Sequence, residues 1–298
     1  MTILNIKKIL LYISDFILYL IFLIFITVFK FLPAGTKLKF SEAVGIVLFH
    51  IIPKGKRLTY RNLNLILNEQ GKLGLSRKEI KEIAINSYKN TAKSFLLPFW
   101  IYEYMEKYPP VVYKSELLKN MTEKYEKLII TIPHFGFFHV NMYPVQNEPL
   151  FILVRPIPNK FIQDYIDRHR FKENMRSFPE SHLRTFLKSR DVKGIFVTAN
   201  DVRKPVIGEK VDFFGMSTTA SGFTAYFSIK KKLPVIMMYN IVDKNNICHI
   251  HIEEILYPEN YSDRLELSNA LMKIYERIIL KNPDQWYWFQ ERWKEFEQ

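Results

Sequence analysis

Two histidines, His134 and His139, stand five positions apart in Ile129–Asn141 (IITIPHFGFFHVN), the segment whose residue types are best suited to catalysis. An apolar run ends at Pro133, His134 follows, and Gly136 lets the chain turn closely afterwards. A histidine at the C-terminal lip of a buried strand sits where open α/β proteins place their ligands. Its imidazole titrates near neutrality, which suits a general base. Such a base could take the proton from a hydroxyl as that oxygen attacks an acyl carbonyl. It works better when a carboxylate holds its far nitrogen, fixing the tautomer and stabilising the imidazolium. In a strand-to-helix turn, the residue five positions on can reach back to do this. Here that residue is His139, which as a neutral ring preserves orientation but stabilises the imidazolium less. Glu148 and Asp201 are the carboxylates that could supply the missing charge. The bland reading of His134 is a strand-end histidine that bonds a backbone carbonyl.

Metal chemistry fits poorly. His134 and His139 have the wrong spacing for two ligands on one helix and no third ligand nearby. His249 and His251 share one face of an expected strand, which reads more simply as a polar sheet face. Asp212, before Phe213-Phe214-Gly215, reads as a turn former. Ser217, Thr218, Thr219 and Ser221 read as an expected helix start, able either to cap it or to hold phosphate.

These residues need a scaffold, and the sequence predicts one. Apolar runs at Leu128–Ile132, Phe151–Val154, Gly194–Thr198, Val235–Ile241 and Ile247–Ile255 alternate with helical stretches near His134–Val145, Lys160–Glu173, Glu180–Ser189 and Ser217–Lys231. That alternation predicts an α/β fold with a mostly parallel central sheet flanked by helices. Ser76-Arg-Lys-Glu79 reads as a capping box opening one long helix to Tyr104, stopped by Pro109-Pro110. Helices over Ser262–Leu280 and Pro283–Glu297 are expected to end the chain, with Trp286, Trp288 and Trp293 at helical spacing as core or with one ring at a membrane interface.

Composition narrows the partners. Lys+Arg 43 against Asp+Glu 30 leaves +13, which favours an anionic membrane surface or an acidic protein. The basic residues are dispersed and no recognition motif accompanies them, so nucleic acid is a poor partner. One cysteine, Cys248, excludes an internal disulfide and a Cys-based zinc site. Ile9 to Phe29 is apolar except for Ser14, Asp15 and Thr27 and long enough to cross a bilayer, with Lys7 and Lys8 before it and Lys30, Lys37 and Lys39 after it. A signal peptide fits less well, because the run is too long and no small-residue cleavage site follows. A retained membrane helix is expected, either spanning or lying deep in one leaflet. The expected organisation is a membrane anchor over 1–32 and an α/β domain with a helical N-terminal shoulder over 33–298.

Several blocks of this chain, in order, resemble the lipid A biosynthesis (late or secondary) acyltransferases within the lysophospholipid and glycerol-phosphate acyltransferase superfamily. They are Arg61-Asn62-Leu63, the His134 block, Val154-Arg155-Pro156, Gly194–Asp201, Val211–Gly215 with Ser217–Ala220, and Pro283–Trp288 with Arg292–Lys294. The pattern departs at His139, where the family carries an acid, and at Gln290, where it carries a histidine. The resemblance implies an acyltransferase-like fold and transfer of a fatty acyl chain from acyl carrier protein or coenzyme A to a hydroxyl of a lipid A precursor or related glycolipid. It implies His134 as base, aided by His139, with Arg155, Gly136, Asn200 and Asp201 toward the substrates. It also implies no metal or cofactor beyond the thioester donor, and a place on the cytoplasmic face of the bacterial inner membrane. Two alternatives accompany it: a lysophospholipid or glycerolipid acyltransferase, and a catalytically silent lipid-binding relative.

Overall fold

The computed structural model describes residues 3–169, 174–179, 193–204 and 208–293. An apolar helix α1 (Ile3–Lys30) leads into a helical shoulder: α2 (Ala34–Ile51), α3 (Pro53–Leu63), α4 (Arg77–Leu96) and α5 (Ile101–Lys107). The capping box forms as expected: Ser76 Oγ accepts from Glu79 N, and Glu79 accepts from Ser76 N at 2.8 Å. The helix it opens is shorter than expected. Pro98 cannot donate a backbone bond, so Leu97–Phe99 tightens into a 3₁₀ turn before α5 restarts. Gly45 of α2 sits where any Cβ would meet the backbone of Tyr88 and Lys89, which lets α2 and α4 pack at close range.

Seven strands form the main sheet: β1 (Val111–Tyr113), β2 (Lys127–Thr131), β3 (Leu150–Val154), β4 (Met175–Pro179), β5 (Gly194–Thr198), β8 (Val235–Val242) and β9 (Cys248–Leu256). Their order is β1-β9-β8-β2-β5-β3-β4, and every pairing is parallel except β8 with β9. The expected α/β class and mostly parallel sheet are therefore observed. Helices α6 (Ser115–Lys124), α7 (Lys160–His169), α8 (Phe223–Lys231) and α9 (Arg264–Lys281) accompany the sheet among the described residues. β2, β5 and β8 are almost wholly buried, as parallel strands covered on both faces must be.

Three expected elements take another form. The stretch after Gly215 is not a helix start: β6 (Glu209–Phe213) and β7 (Met216–Ala220) make a separate antiparallel hairpin. Phe214 and Gly215 both have positive φ in its two-residue loop, as a primed turn requires. Val211, Phe213, Met216, Thr218 and Ala220 point inward at strand period, and the helix waits until Phe223, after Gly222. The His134 segment is irregular, and only Phe138–Val145 coils, as a 3₁₀ turn. After a short turn at Pro283–Gln285 the chain runs extended at Trp286 rather than helical. Trp286, Trp288 and Trp293 are fully buried, so none lies at a membrane interface. The helix expected over Glu180–Ser189, and the last residues of the one expected after Pro283, lie outside the described residues.

Candidate active site

Register brings the site together. β2 and β5 run parallel with Thr131 opposite Thr198, so the third residue beyond each strand, His134 and Asp201, emerges at the same edge. His134 Nδ1 lies 2.9 Å from Asp201 Oδ1, and the His134 backbone N–H donates to Oδ2 at 2.9 Å. The Trp286 indole N–H donates to the same Oδ2 at 3.0 Å. Asp201 is fully buried while the His134 side chain keeps 26% exposure, so the carboxylate lies behind an accessible ring.

Each ionisation follows from this packing. Burial pulls His134 down, but the charge and hydrogen bond of Asp201 outweigh it, and the ring is held above its ordinary value. Lys204 opposes that rise. Burial pushes Asp201 up, yet the His134 charge and the bonds from His134 and Trp286 hold it below the usual carboxylate range. The pair is therefore an ionised, buried carboxylate locking one nitrogen of a titratable imidazole.

The turn carrying His134 is clamped from two other segments. Gly136 has φ +58°, and a Cβ there would stand 2.4 Å from the Asn240 carbonyl oxygen. Asn240, within β8, accepts from Phe137 N and donates to Phe137 O, both at 3.0 Å. The Gly136 N–H donates to Gln285 O, while the Gln285 side chain accepts from Val242 N and donates to Val242 O. The C-terminal Pro-Asp-Gln-Trp block thus holds both the histidine turn and its acid.

His134 opens onto a cavity of about 720 Å³, within the range of small-molecule sites. Its wall is apolar at Phe99, Phe138, Ile152 and Ile166 and basic at Arg155, Arg203 and Lys204. Arg155 arrives by the same register logic, one residue past β3, which flanks β5. A second, smaller cavity of about 30 Å³ adjoins it, sharing Pro98, His139 and Met142.

Of the residues singled out from sequence, His134, His139 and Arg155 line the cavity. Asp201, not position 139, occupies the orienting place at His134 Nδ1. His139 is 5% exposed, packs at a tilt against Phe138 and lines both cavities. Gly136, Asn200 and Asp201 stand behind the wall. Asn200 accepts from Thr131 and Thr224 hydroxyls and donates to Ser221 O, bracing the loop that carries Asp201. Ser217, Thr218 and Thr219 lie on β7, and only Ser221 of that group reaches the cavity. His249 and His251 face Tyr113, away from this site, with His249 against Asp243. Sequence reasoning missed the bonds of Trp286 and Asn240; equal offsets from the paired strands would have pointed to the Asp201 contact.

The family model of the bacterial lipid A biosynthesis acyltransferases matches residues 4–295. This chain belongs to that family. It is therefore an acyltransferase, and the blocks that resembled the family meet in space. Asn62 donates to the backbone of Trp288 and Gln290, and Arg61 to Trp293 O. The Thr218 hydroxyl donates to Arg292 O, and the Arg292 guanidinium donates to Thr219 O. No curated protein matches this acyltransferase. One similar solved structure is the 1-acyl-sn-glycerophosphate (LPA) acyltransferase PlsC from Thermotoga maritima, at 13% identity and TM-score 0.38, covering 82% of this chain and 95% of that one.

Proposed function

We propose that this acyltransferase moves a fatty acyl chain from acyl carrier protein or coenzyme A to a hydroxyl of a lipid A precursor or related glycolipid, with His134 as general base. The observation that carries the reading is the His134–Asp201 pair at the wall of a cavity lined by both apolar and basic side chains. With Nδ1 engaged by Asp201, Nε2 is the nitrogen that takes the acceptor proton as the hydroxyl oxygen attacks the thioester carbonyl. Asp201 stabilises the imidazolium that forms. Collapse of the tetrahedral intermediate breaks the C–S bond, and the imidazolium returns the proton to the departing thiolate. Base, carboxylate and thioester complete this step without a metal or a covalent enzyme intermediate.

Arg155, Arg203 and Lys204 are positioned for anionic groups, the phosphates of the acceptor or the phosphopantetheine of the donor. The apolar wall takes acyl chain. The basic surface of a chain carrying +13 suits an anionic membrane and an acidic carrier protein. The apolar α1 supports attachment to a membrane, and family membership suggests the cytoplasmic side of the inner membrane.

The test is acyl transfer by detergent-solubilised protein, with labelled acyl carrier protein and coenzyme A thioesters offered to lipid A precursors and lysophospholipids. His134→Ala is expected to abolish turnover in a protein that still folds, with a lowered Tm because buried Asp201 loses its charge partner. Undiminished turnover in that variant would remove His134 from the chemistry, and transfer to lysophospholipids alone would move the acceptor assignment.

A further inference from the structure

Helix α1 has the length and hydropathy of a membrane span over Lys7–Lys30, but it does not stand free of the catalytic body. Tyr12 and Tyr19 pack on Phe161 of α7 with ring centroids 5.1 and 5.7 Å apart. Between them, Asn159 donates to the Asp15 backbone carbonyl at 2.8 Å. One turn further, Phe22 meets Tyr165 and Phe99 at 5.3 and 5.6 Å, and Ile26 and Phe29 are buried. Contact therefore runs from Tyr12 to Phe29, about 26 Å of helix at 1.5 Å per residue. Only Lys7–Leu11 of the apolar stretch precede it, about 7 Å, against the roughly 30 Å thickness of a hydrocarbon core.

The partner of α1 is itself unsuited to a bilayer. α7 exposes Lys160, Asp164, Asp167 and Arg168, and a spanning α1 would carry these charges into hydrocarbon beside it. The opposite face of α1 exposes Ile13, Ile17, Ile21, Ile24 and Val28, and no part of the described structure covers it. Resting on our reading of the protein as membrane-bound, we infer that α1 lies in the plane of one leaflet, with this face in acyl chains and α7 on the water side. Lys7, Lys8, Lys30 and Lys39, exposed near its two ends, meet anionic headgroups. Phe99 and Ile166, which pack toward α1, also line the catalytic cavity, so an acceptor's acyl chains enter from the leaflet beside the helix.

Two measurements on the full-length protein in anionic proteoliposomes test this. Probes on Ile13→Cys and Ile24→Cys, which share the exposed face, are expected to be quenched by bilayer-borne quenchers at equal depth. A spanning helix would separate those depths by about 16 Å. Lys7→Cys and the catalytic-domain Lys119→Cys are expected to react with an impermeant maleimide on the same side; the native Cys248 is buried. Unequal depths or opposite sides overturn the in-plane helix. Absent quenching at both probes also overturns it, because the apolar face would then be covered by protein. Acyl transfer measured in the same vesicles reports separately on the catalytic reading, so a silent enzyme with an in-plane helix is distinguishable from an active one with a spanning helix.

Discussion

Asp201→Asn isolates the orienting carboxylate while keeping its shape. Wild-type Asp201 accepts three bonds at 2.9, 2.9 and 3.0 Å, from His134 Nδ1, His134 N and Trp286 Nε1. An asparagine with its oxygen at the Oδ2 place still accepts from His134 N and Trp286 Nε1. Its N–H then faces His134 Nδ1 and holds the ring in the tautomer with the proton on Nε2, the nitrogen that must act as base. Breaking a buried charge pair costs about 3–5 kcal/mol, and the isosteric amide brings the expected loss to the lower end of that range. For the chemistry, the serine-protease precedent puts removal of the orienting acid at about 10⁴ in rate, or about 5.4 kcal/mol of transition-state stabilisation. A loss of about 10³–10⁴ in kcat is therefore expected here.

The pH profile supplies a signature that simple damage would not. In the proposed mechanism the neutral ring is the base, so kcat/KM should rise with pH through the His134 pKa, which Asp201 holds above its ordinary 6.5. Without the carboxylate, burial and Lys204 remain, and both pull downward. The ascending limb should therefore move to lower pH even as the rate falls at every pH. The assay is initial-rate acyl transfer from pH 5 to 9, beside thermal melts that confirm a folded variant. A loss within about threefold, with the limb unmoved, would refute the assignment of Asp201 as the orienting group.

Two further substitutions bear on the same turn. Gly136→Ala places a Cβ 2.4 Å from Asn240 O at φ +58°; it should cost about 3 kcal/mol, read as a fall in Tm of about 6–12 °C. His139→Gln should lower activity less than about tenfold and leave the pH limb in place, because Nδ1 of His134 is held elsewhere. A loss equal to that of Asp201→Asn, with a displaced limb, would return the orienting role to position 139.

The chain's own residue pattern determined the class of fold and pointed to the candidate site. Continuous apolar runs at Leu128–Ile132, Gly194–Thr198 and Val235–Ile241 read as strands buried on both faces, and alternation with helices makes their sheet largely parallel. The position of His134 after such a strand, with Gly136 behind it, marked the candidate edge because local backbone requirements are visible in local sequence. What tertiary structure alone decided is which acid meets that histidine. Local spacing pointed to His139, yet an imidazole can be held from any neighbouring strand. Strand order and register, with Thr131 opposite Thr198, bring Asp201 to it across 67 residues of sequence. The same holds for Trp286, whose spacing reads as a helical core residue and whose indole instead donates to Asp201 from an extended segment. It holds also for α1, whose composition permits a span and whose long contact with a charged helix argues for a place along the surface. Periodicity records which face of an element is apolar; it does not record what that face is pressed against, because that depends on where distant segments are brought by the folded sheet.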